Sequence, residues 1–157
     1  MDAPALKTSL PAPEIAAKIF AYICHDAIGT TREWEETMKK LGINPFSGWC
    51  REYAIATLLL CSDSEKYDVF YADEDSCDET GNHILGAKCH YWLALKSDHD
   101  AIVDPTWQQF RLGQSHFPLP YEYLTEDEIR VVANPFSDRL IQLALPFAKK
   151  IHGFIVN

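Results

Sequence analysis

The segment SGWCREYAIATLLL, residues 47–60, is the part of the chain that decides the fold. Mostly apolar residues follow Cys50 without a glycine or proline, which predicts a largely buried helix. Ser47 is a favourable N-cap, so Cys50 should lie in the first turn. There, unpaired backbone N–H groups and the helix dipole favour a thiolate. A cysteine that only fills space predicts the same helix, so the choice depends on partners elsewhere in the chain.

Two further helices are predicted upstream of this segment. The first begins at Pro13, and Ile15, Ile19 and Ile23 follow at the spacing of one helical face. The second covers residues 30–41, which open on a capping-box pattern and end before a glycine.

Downstream, the pattern changes to that of strands. Residues 66–72 and 90–95 are rich in aromatic and β-branched side chains, which predicts two strands. Residues 97–100 read as a turn, and residues 101–104 as a strand that returns along the second one as a hairpin. The chain is therefore predicted to be α+β, with the Cys50 helix packed on an antiparallel sheet.

The last third of the chain gives weaker signals. Thr125 and Glu128 form a capping-box pattern, which predicts a short helix stopped by Asn134-Pro135. Residues 137–145 and 147–156 are apolar, and their pattern fits either helix or strand.

Length and charge limit the classes of function. The chain has 157 residues and a formal charge of −9, which suit one globular domain and argue against a nucleic-acid partner. We expect a loose leader over residues 1–12 and a single domain over 13–157. No apolar run is long enough to cross a bilayer, and no signal peptide is visible, so we expect no membrane insertion. The chain should be cytoplasmic where it is synthesised, although export by a specialised secretion system would leave no readable signal.

The cysteines do not predict a disulfide framework or a metal site. Their number is odd, which favours free thiols. His83, Cys89 and His90 lie close to Cys77, but no C-x-x-C pair is present, so we predict no zinc. The acidic residues 73–79 lack the ligand spacing of a calcium loop and read as a solvated segment. The five cysteines are Cys24, Cys50, Cys61, Cys77 and Cys89.

His90 and Asp104 are the partners that a reactive Cys50 would need. His90 begins one strand of the hairpin and Asp104 ends the other, fourteen residues later, so the two can lie side by side. An imidazole beside a thiol stabilises the thiolate and returns the proton to a leaving amine. A carboxylate on the other ring nitrogen holds the imidazole in place.

Three blocks in this order resemble the transglutaminase-like branch of the papain-like cysteine hydrolases. They are GWCREYAIATLLL from Gly48, HYWLAL from His90 and IVDPTW ending at Trp107. The resemblance implies a papain-like core in which Cys50 is the nucleophile, His90 the base and Asp104 the orienting acid. Members include proteases, transglutaminases, amide hydrolases, acetyltransferases and effector-type glutamine deamidases of bacteria.

Other site residues are less specific. The backbone N–H of Cys50 is one oxyanion donor, and the side chain of Asn44 or Trp49 is a candidate for the second. Trp92 and Trp107 are expected to form walls of the site.

Together these features predict a cysteine-dependent amide hydrolase or acyltransferase that works through a thioester and needs no metal or organic cofactor. The favoured substrate is a glutamine side chain on a protein or peptide, which water would deamidate and an amine would transamidate. A cysteine protease is the alternative within this fold. A binding module without activity, using the acidic segment and the stretch Tyr121–Tyr123, is the alternative from another class. The sequence does not determine the oligomeric state.

Overall fold

The computed structural model describes residues 6–28, 50–72, 90–106, 121 and 125–156. Within these ranges the chain forms three α-helices and one four-stranded antiparallel sheet. The predicted α+β class is therefore confirmed. The helix predicted over residues 30–41 lies outside the described ranges.

The three helices are α1 (Ala12–Ile28), α2 (Cys50–Leu60) and α3 (Asp138–Val156). α1 begins just before the predicted start at Pro13, and its residue Ile19 is completely buried. Buried residues recur along α1 at intervals of three and four, which places them on one face. That face packs against both α2 and α3.

α2 is the central helix, because α1, α3 and the sheet all pack against it. Every residue of α2 except Arg51 and Leu59 is buried, as its apolar sequence predicts. Near its middle, the ring of Tyr53 meets the ring of Phe147 edge-on, with centroids 5.0 Å apart. Packing on several sides holds the first turn of α2 in a defined position, and that turn carries Cys50.

The sheet consists of β1 (Tyr67–Ala72), β2 (Tyr91–Leu95), β3 (Asp98–Val103) and β4 (Ile129–Val131). Their spatial order is β3-β2-β1-β4, and every neighbouring pair is antiparallel. β1 and β2 agree with the predicted strands to within one residue at each end. The hairpin of β2 and β3 brings the start of β2 close to the end of β3.

The two faces of the sheet bury different side chains, because successive residues of a strand point in opposite directions. On the helix face, Val69, Leu93 and Val103 join the main core with residues from all three helices. On the second face, Phe70 and Trp92 lie in a smaller cluster. The sheet therefore separates two apolar regions.

The turn predicted over residues 97–100 is wrong. β2 ends at Leu95 and β3 already begins at Asp98, so the turn is shorter and the returning strand longer than expected. The first three residues of β3 are exposed, since β3 is an edge strand. The Asp98 carboxylate accepts the backbone N–H of Asp100 at 3.0 Å. The polar residues of this exposed edge strand are of the types that also favour turns, so the sequence pattern indicated a turn.

The short helix predicted after Thr125 is also wrong in extent. The capping box of Thr125 and Glu128 does form, but it closes only one 3-10 turn, Glu126–Glu128. The chain then continues as β4, in which Val131 lies opposite Phe70 of β1. Pairing with the edge of β1 therefore outweighs the local helical signal.

The ambiguous segments 137–145 and 147–156 form the single helix α3, with Pro146 inside it. Ala144 and Ala148 are completely buried at helical spacing, so packing selects the helix. Pro146 lies on the exposed side of α3. Proline has no backbone N–H, so one carbonyl of the preceding turn lacks its helical partner, and water can bind it there.

The loose leader predicted over residues 1–12 is not found in residues 6–12. Leu6 is 1% exposed and belongs to the main core. The backbone N–H and the hydroxyl of Thr8 both donate to the carbonyl of Leu60, at 2.7 and 2.8 Å. This segment packs because the C-terminal end of α2 offers carbonyls and an apolar surface that local sequence does not reveal.

Candidate active site

Cys50 is the first residue of α2, and its exposed fraction is only 6%. The backbone N–H groups of a helical first turn have no partners within the helix and point towards the side chains at that end. They give this end of α2 a partial positive charge, which stabilises a thiolate.

His90 and Asp104 flank the β2–β3 hairpin, since His90 directly precedes β2 and Asp104 directly follows β3. The two strands are antiparallel, so these flanking residues lie beside each other. Nε2 of His90 and Oδ2 of Asp104 are 2.6 Å apart, and the two side chains are 0% and 2% exposed. So short a contact between buried groups is a strong, charge-assisted hydrogen bond.

His90 also hydrogen-bonds to the side chain of Cys50. Because Nε2 faces Asp104, Nδ1 is the ring nitrogen on the side away from that carboxylate. The imidazole therefore connects the thiol at the start of α2 with the carboxylate at the end of β3. The structure brings together the three residues that the sequence singles out.

The electrostatic surroundings favour the charged form of His90. Burial lowers the pKa of His90, but the charge and hydrogen bond of Asp104 raise it, as do the hydrogen bond and charge of Cys50. The raising effects are larger in sum and bring the pKa of His90 to about 9, against an ordinary 6.5. At neutral pH the ring is an imidazolium that can pair with a thiolate.

Both carboxylate oxygens of Asp104 accept further hydrogen bonds. Its Oδ1 accepts the backbone N–H of Thr106 at 3.1 Å, and its Oδ2 accepts the hydroxyl of Tyr121 at 3.0 Å. A carboxylate with these donors and His90 around it has little freedom to rotate. Its orientation towards the imidazole is therefore fixed by neighbours on two different segments.

Tyr121 is the site residue that sequence reasoning missed. The sequence suggests it only as part of a docking surface, and it lies seventeen residues beyond Asp104. The chain has seven tyrosines, and nothing in the local pattern distinguishes this one. Only the three-dimensional structure shows its hydroxyl on the carboxylate.

Trp92, predicted as a wall, is 1% exposed and lies against His90. The two rings are stacked, with centroids 6.0 Å apart and an angle of 22° between their planes. Tyr121 meets the same indole edge-on at 5.3 Å. Trp92 thus packs against both His90 and Tyr121, the two side chains that hydrogen-bond to Asp104.

A second group of polar residues surrounds the start of α2. Nε and Nη2 of Arg51 donate to Oε1 of Glu52 at 3.1 and 2.8 Å. The Glu52 side chain is 7% exposed, so this ion pair is partly shielded from water. Tyr91 hydrogen-bonds to Arg51. Burial raises the pKa of Tyr91, the charge of Arg51 lowers it, and the charge of Cys50 raises it further. Sequence reasoning did not select these residues.

Cys61 provides a contrast within the same fold. It is completely buried, and like Cys50 it forms no disulfide. Burial, with the nearby charge of Asp63, raises the pKa of Cys61 to about 11. It therefore stays a neutral thiol near neutral pH.

Several predicted residues lie outside the described ranges. They include both candidates for the second oxyanion donor, Asn44 and Trp49, and the second wall, Trp107. The acidic segment 73–79 lies outside as well, as do Cys77, His83 and Cys89. Within the described ranges, no three His, Cys, Asp or Glu side chains are grouped so that they could hold a metal ion. None of the helices in those ranges has the length and apolar character needed to span a membrane.

No protein-family model matches this chain, and comparisons with curated proteins and with solved structures found no match either.

Proposed function

We propose that this protein is a cysteine-dependent amide hydrolase or acyltransferase with a papain-like, transglutaminase-like core. The observation that carries the proposal is the hydrogen-bonded series Cys50–His90–Asp104, in which the sulfur lies at a helix N-terminus and the imidazole–carboxylate contact is 2.6 Å. A cysteine used only for packing has no need of an imidazolium, nor of a carboxylate held by further donors.

In the proposed reaction, the Cys50 thiolate attacks the carbon of a carboxamide and forms a tetrahedral intermediate. The backbone N–H of Cys50 and a second donor, Asn44 or Trp49, stabilise the oxyanion. The C–N bond then breaks, and His90 donates its proton to the departing ammonia. A thioester on Cys50 and a neutral imidazole remain.

The second half of the reaction returns the site to its starting state. His90 takes a proton from water while the water oxygen attacks the thioester carbon. The C–S bond breaks, which releases the acid product and restores the thiolate–imidazolium pair. An amine in place of water would instead give transamidation.

The favoured substrate is the carboxamide of a glutamine side chain on a protein or peptide. The three sequence blocks resemble enzymes that act on such groups. Cys50 is only 6% exposed, so a slender side chain is a better fit to the thiol than a bulky group.

The first experiment measures how fast each thiol reacts with iodoacetamide at neutral pH, by peptide mapping. We expect Cys50 to react more than about tenfold faster than Cys61, whose burial and raised pKa make it the internal control. Equal, slow reaction of both thiols would contradict the proposal and favour the non-catalytic binding module.

The second experiment identifies the reaction. The protein is incubated with a panel of glutamine-containing peptides, with and without a primary amine, and the products are analysed by ammonia release and intact mass. Ammonia with conversion of glutamine to glutamate means deamidation, and amine incorporation means transamidation. Peptide fragments would instead identify a protease, and a Cys50→Ala variant must abolish whichever product appears.

A further inference from the structure

The second face of the sheet carries a cavity of about 570 Å³. This volume lies within the range of small-molecule sites in proteins, about 300–1,000 Å³. Phe70, Trp92 and Tyr121 are its aromatic walls, and Phe70 and Trp92 lie on neighbouring strands with rings stacked 6.5 Å apart.

Aliphatic side chains complete the apolar lining of the cavity. Ile102 of β3 and Ile129 and Val131 of β4 border it from the two edge strands of the sheet. Val131 is 53% exposed, a large fraction for a valine within a paired strand. An exposed apolar side chain beside a cavity is a common mark of a binding surface.

The charges at the cavity are negative. Asp100 and Glu126 both line it and are both exposed, while no lysine or arginine is among its described lining residues. His99 also lines the cavity, and its ring packs on that of Phe70 with centroids 4.9 Å apart. The whole chain carries a formal charge of −9, which reinforces a preference for cations. Aromatic faces add to this preference, because their negative electrostatic surfaces attract ammonium groups.

The cavity is distinct from the candidate active site but shares a wall with it. Among its described lining residues, none belongs to the Cys50–His90–Asp104 group. Two of its walls nevertheless contact that group, since Trp92 stacks on His90 and Tyr121 donates to Asp104. An occupant of the cavity would therefore touch Tyr121, the residue whose hydroxyl supports the carboxylate.

We propose that this cavity is a second binding site, for a small organic cation that combines an aromatic body with an amine. The aromatic body lies against Tyr121, Ile102 and Ile129, the partly exposed side chains that pack on the buried Trp92–Phe70 cluster. The ammonium group is paired with Asp100 and Glu126. Binding uses the second face of the sheet and needs no thiol chemistry, so it is separate from the proposed reaction at Cys50.

The test uses tryptamine as the probe and isoleucine methyl NMR as the readout. Ile102 and Ile129 methyl signals, assigned by Ile→Val variants, should shift saturably with tryptamine. Ile55 and Ile151, which lie in the main core, should not shift. The neutral 3-ethylindole should bind at least about threefold more weakly, since it lacks the charge that pairs with the carboxylates, and the anionic indole-3-propionate more weakly still.

A pair of double variants isolates the charges. Asp100→Asn with Glu126→Gln should weaken tryptamine binding about three- to tenfold and bring it to the level of 3-ethylindole. Asp98→Asn with Asp127→Asn removes the same charge from the same segments but not from the cavity lining, and should change binding less than about twofold. Cys50→Ala should bind tryptamine as the wild type does.

Three results would overturn the proposal. One is the absence of any shift at Ile102 and Ile129 with millimolar tryptamine. Another is equal affinity for the neutral or anionic analogue, which would remove the role of the carboxylates. The third is an equal shift of Ile55 and Ile151, which would mean non-specific binding.

Discussion

At the scale of single residues, the thiols of Cys50 and Cys61 show how position decides chemistry. Cys50 opens α2 and Cys61 directly follows it, so they lie at the positive and negative ends of the same helix. Cys50 hydrogen-bonds to an imidazole, whereas the Cys61 sulfur lies 4.0 Å from the carbonyl of Leu58 and close to Asp63. Identical side chains thus lie in opposite electrostatic surroundings.

This contrast predicts the behaviour of two alanine variants. Cys50→Ala should abolish fast alkylation and turnover, because the proposed thioester cannot form. Cys61→Ala should keep both, while lowering the free energy of unfolding by about 1 kcal/mol through the loss of a buried group. Alkylation rates and urea denaturation of both variants provide the measurement. Loss of fast alkylation in Cys61→Ala would mean that the reactive thiol has been misassigned.

A second residue-scale prediction concerns Tyr121. Tyr121→Phe removes the hydroxyl that donates to Asp104 but keeps the ring that meets Trp92. We expect slower turnover and a loss of about 1–2 kcal/mol in the free energy of unfolding, because a buried carboxylate loses one donor. The pH profile of Cys50 alkylation should change as well, since Asp104 then holds His90 less firmly.

The matched control for Tyr121 is Tyr22→Phe. Tyr22 meets Phe154 edge-on, between α1 and α3. This variant should leave turnover and the alkylation profile unchanged. If the two variants behave alike, the hydroxyl of Tyr121 does not position Asp104.

At the scale of elements, α2 supplies the site through its first turn. Packing on α1, α3 and the sheet fixes the axis of α2, and with it the position of Cys50 beside His90. The same turn carries Glu52, an acidic group that suits the positive end of a helix.

Glu52→Gln should lower the free energy of unfolding by about 1 kcal/mol, through loss of the helix-end and Arg51 contacts. Urea denaturation provides the measurement. Glu14→Gln, in the first turn of α1, is the matched control and should lower the free energy of unfolding by less, because Glu14 is exposed. An equal loss in both variants would show that overall charge, not local position, is responsible.

At the scale of the whole molecule, the site joins parts of the chain that lie far apart. α2 supplies the thiol, the β2–β3 hairpin supplies the imidazole and carboxylate, and Tyr121 comes from a later segment. The sheet then separates the main core from the cavity on its second face. The site therefore forms only when the chain folds. For this reason the free energy of unfolding should depend on the protonation of His90.

This coupling predicts how stability depends on pH. The folded pKa of His90, about 9, lies above its unfolded value near 6.5, so the folded state holds the proton more tightly. The resulting stability is complete below about pH 6.5 and is lost as pH rises to about 9, by up to roughly 3 kcal/mol. Urea denaturation across this range provides the measurement.

Two variants separate the sources of this pH dependence. His90→Gln should flatten the decline between pH 6.5 and 9, because it removes the titrating group. Cys61→Ala should keep that decline and reduce only the loss between pH 9.0 and about 11, where the raised pKa of Cys61 acts. An unchanged slope in His90→Gln would exclude His90 as the source.

The amino-acid sequence by itself determined the elements whose signals are local. Unbroken apolar composition marked α2, aromatic and β-branched runs marked β1 and β2, and hairpin spacing placed His90 near Asp104. The tertiary structure alone decided the burial of Leu6, the strand β4, the bond from Tyr121 to Asp104 and the cavity beside Trp92. The physical reason is that periodicity and turn chemistry act over a few residues, whereas these features depend on contacts between distant segments, which form only when the chain packs.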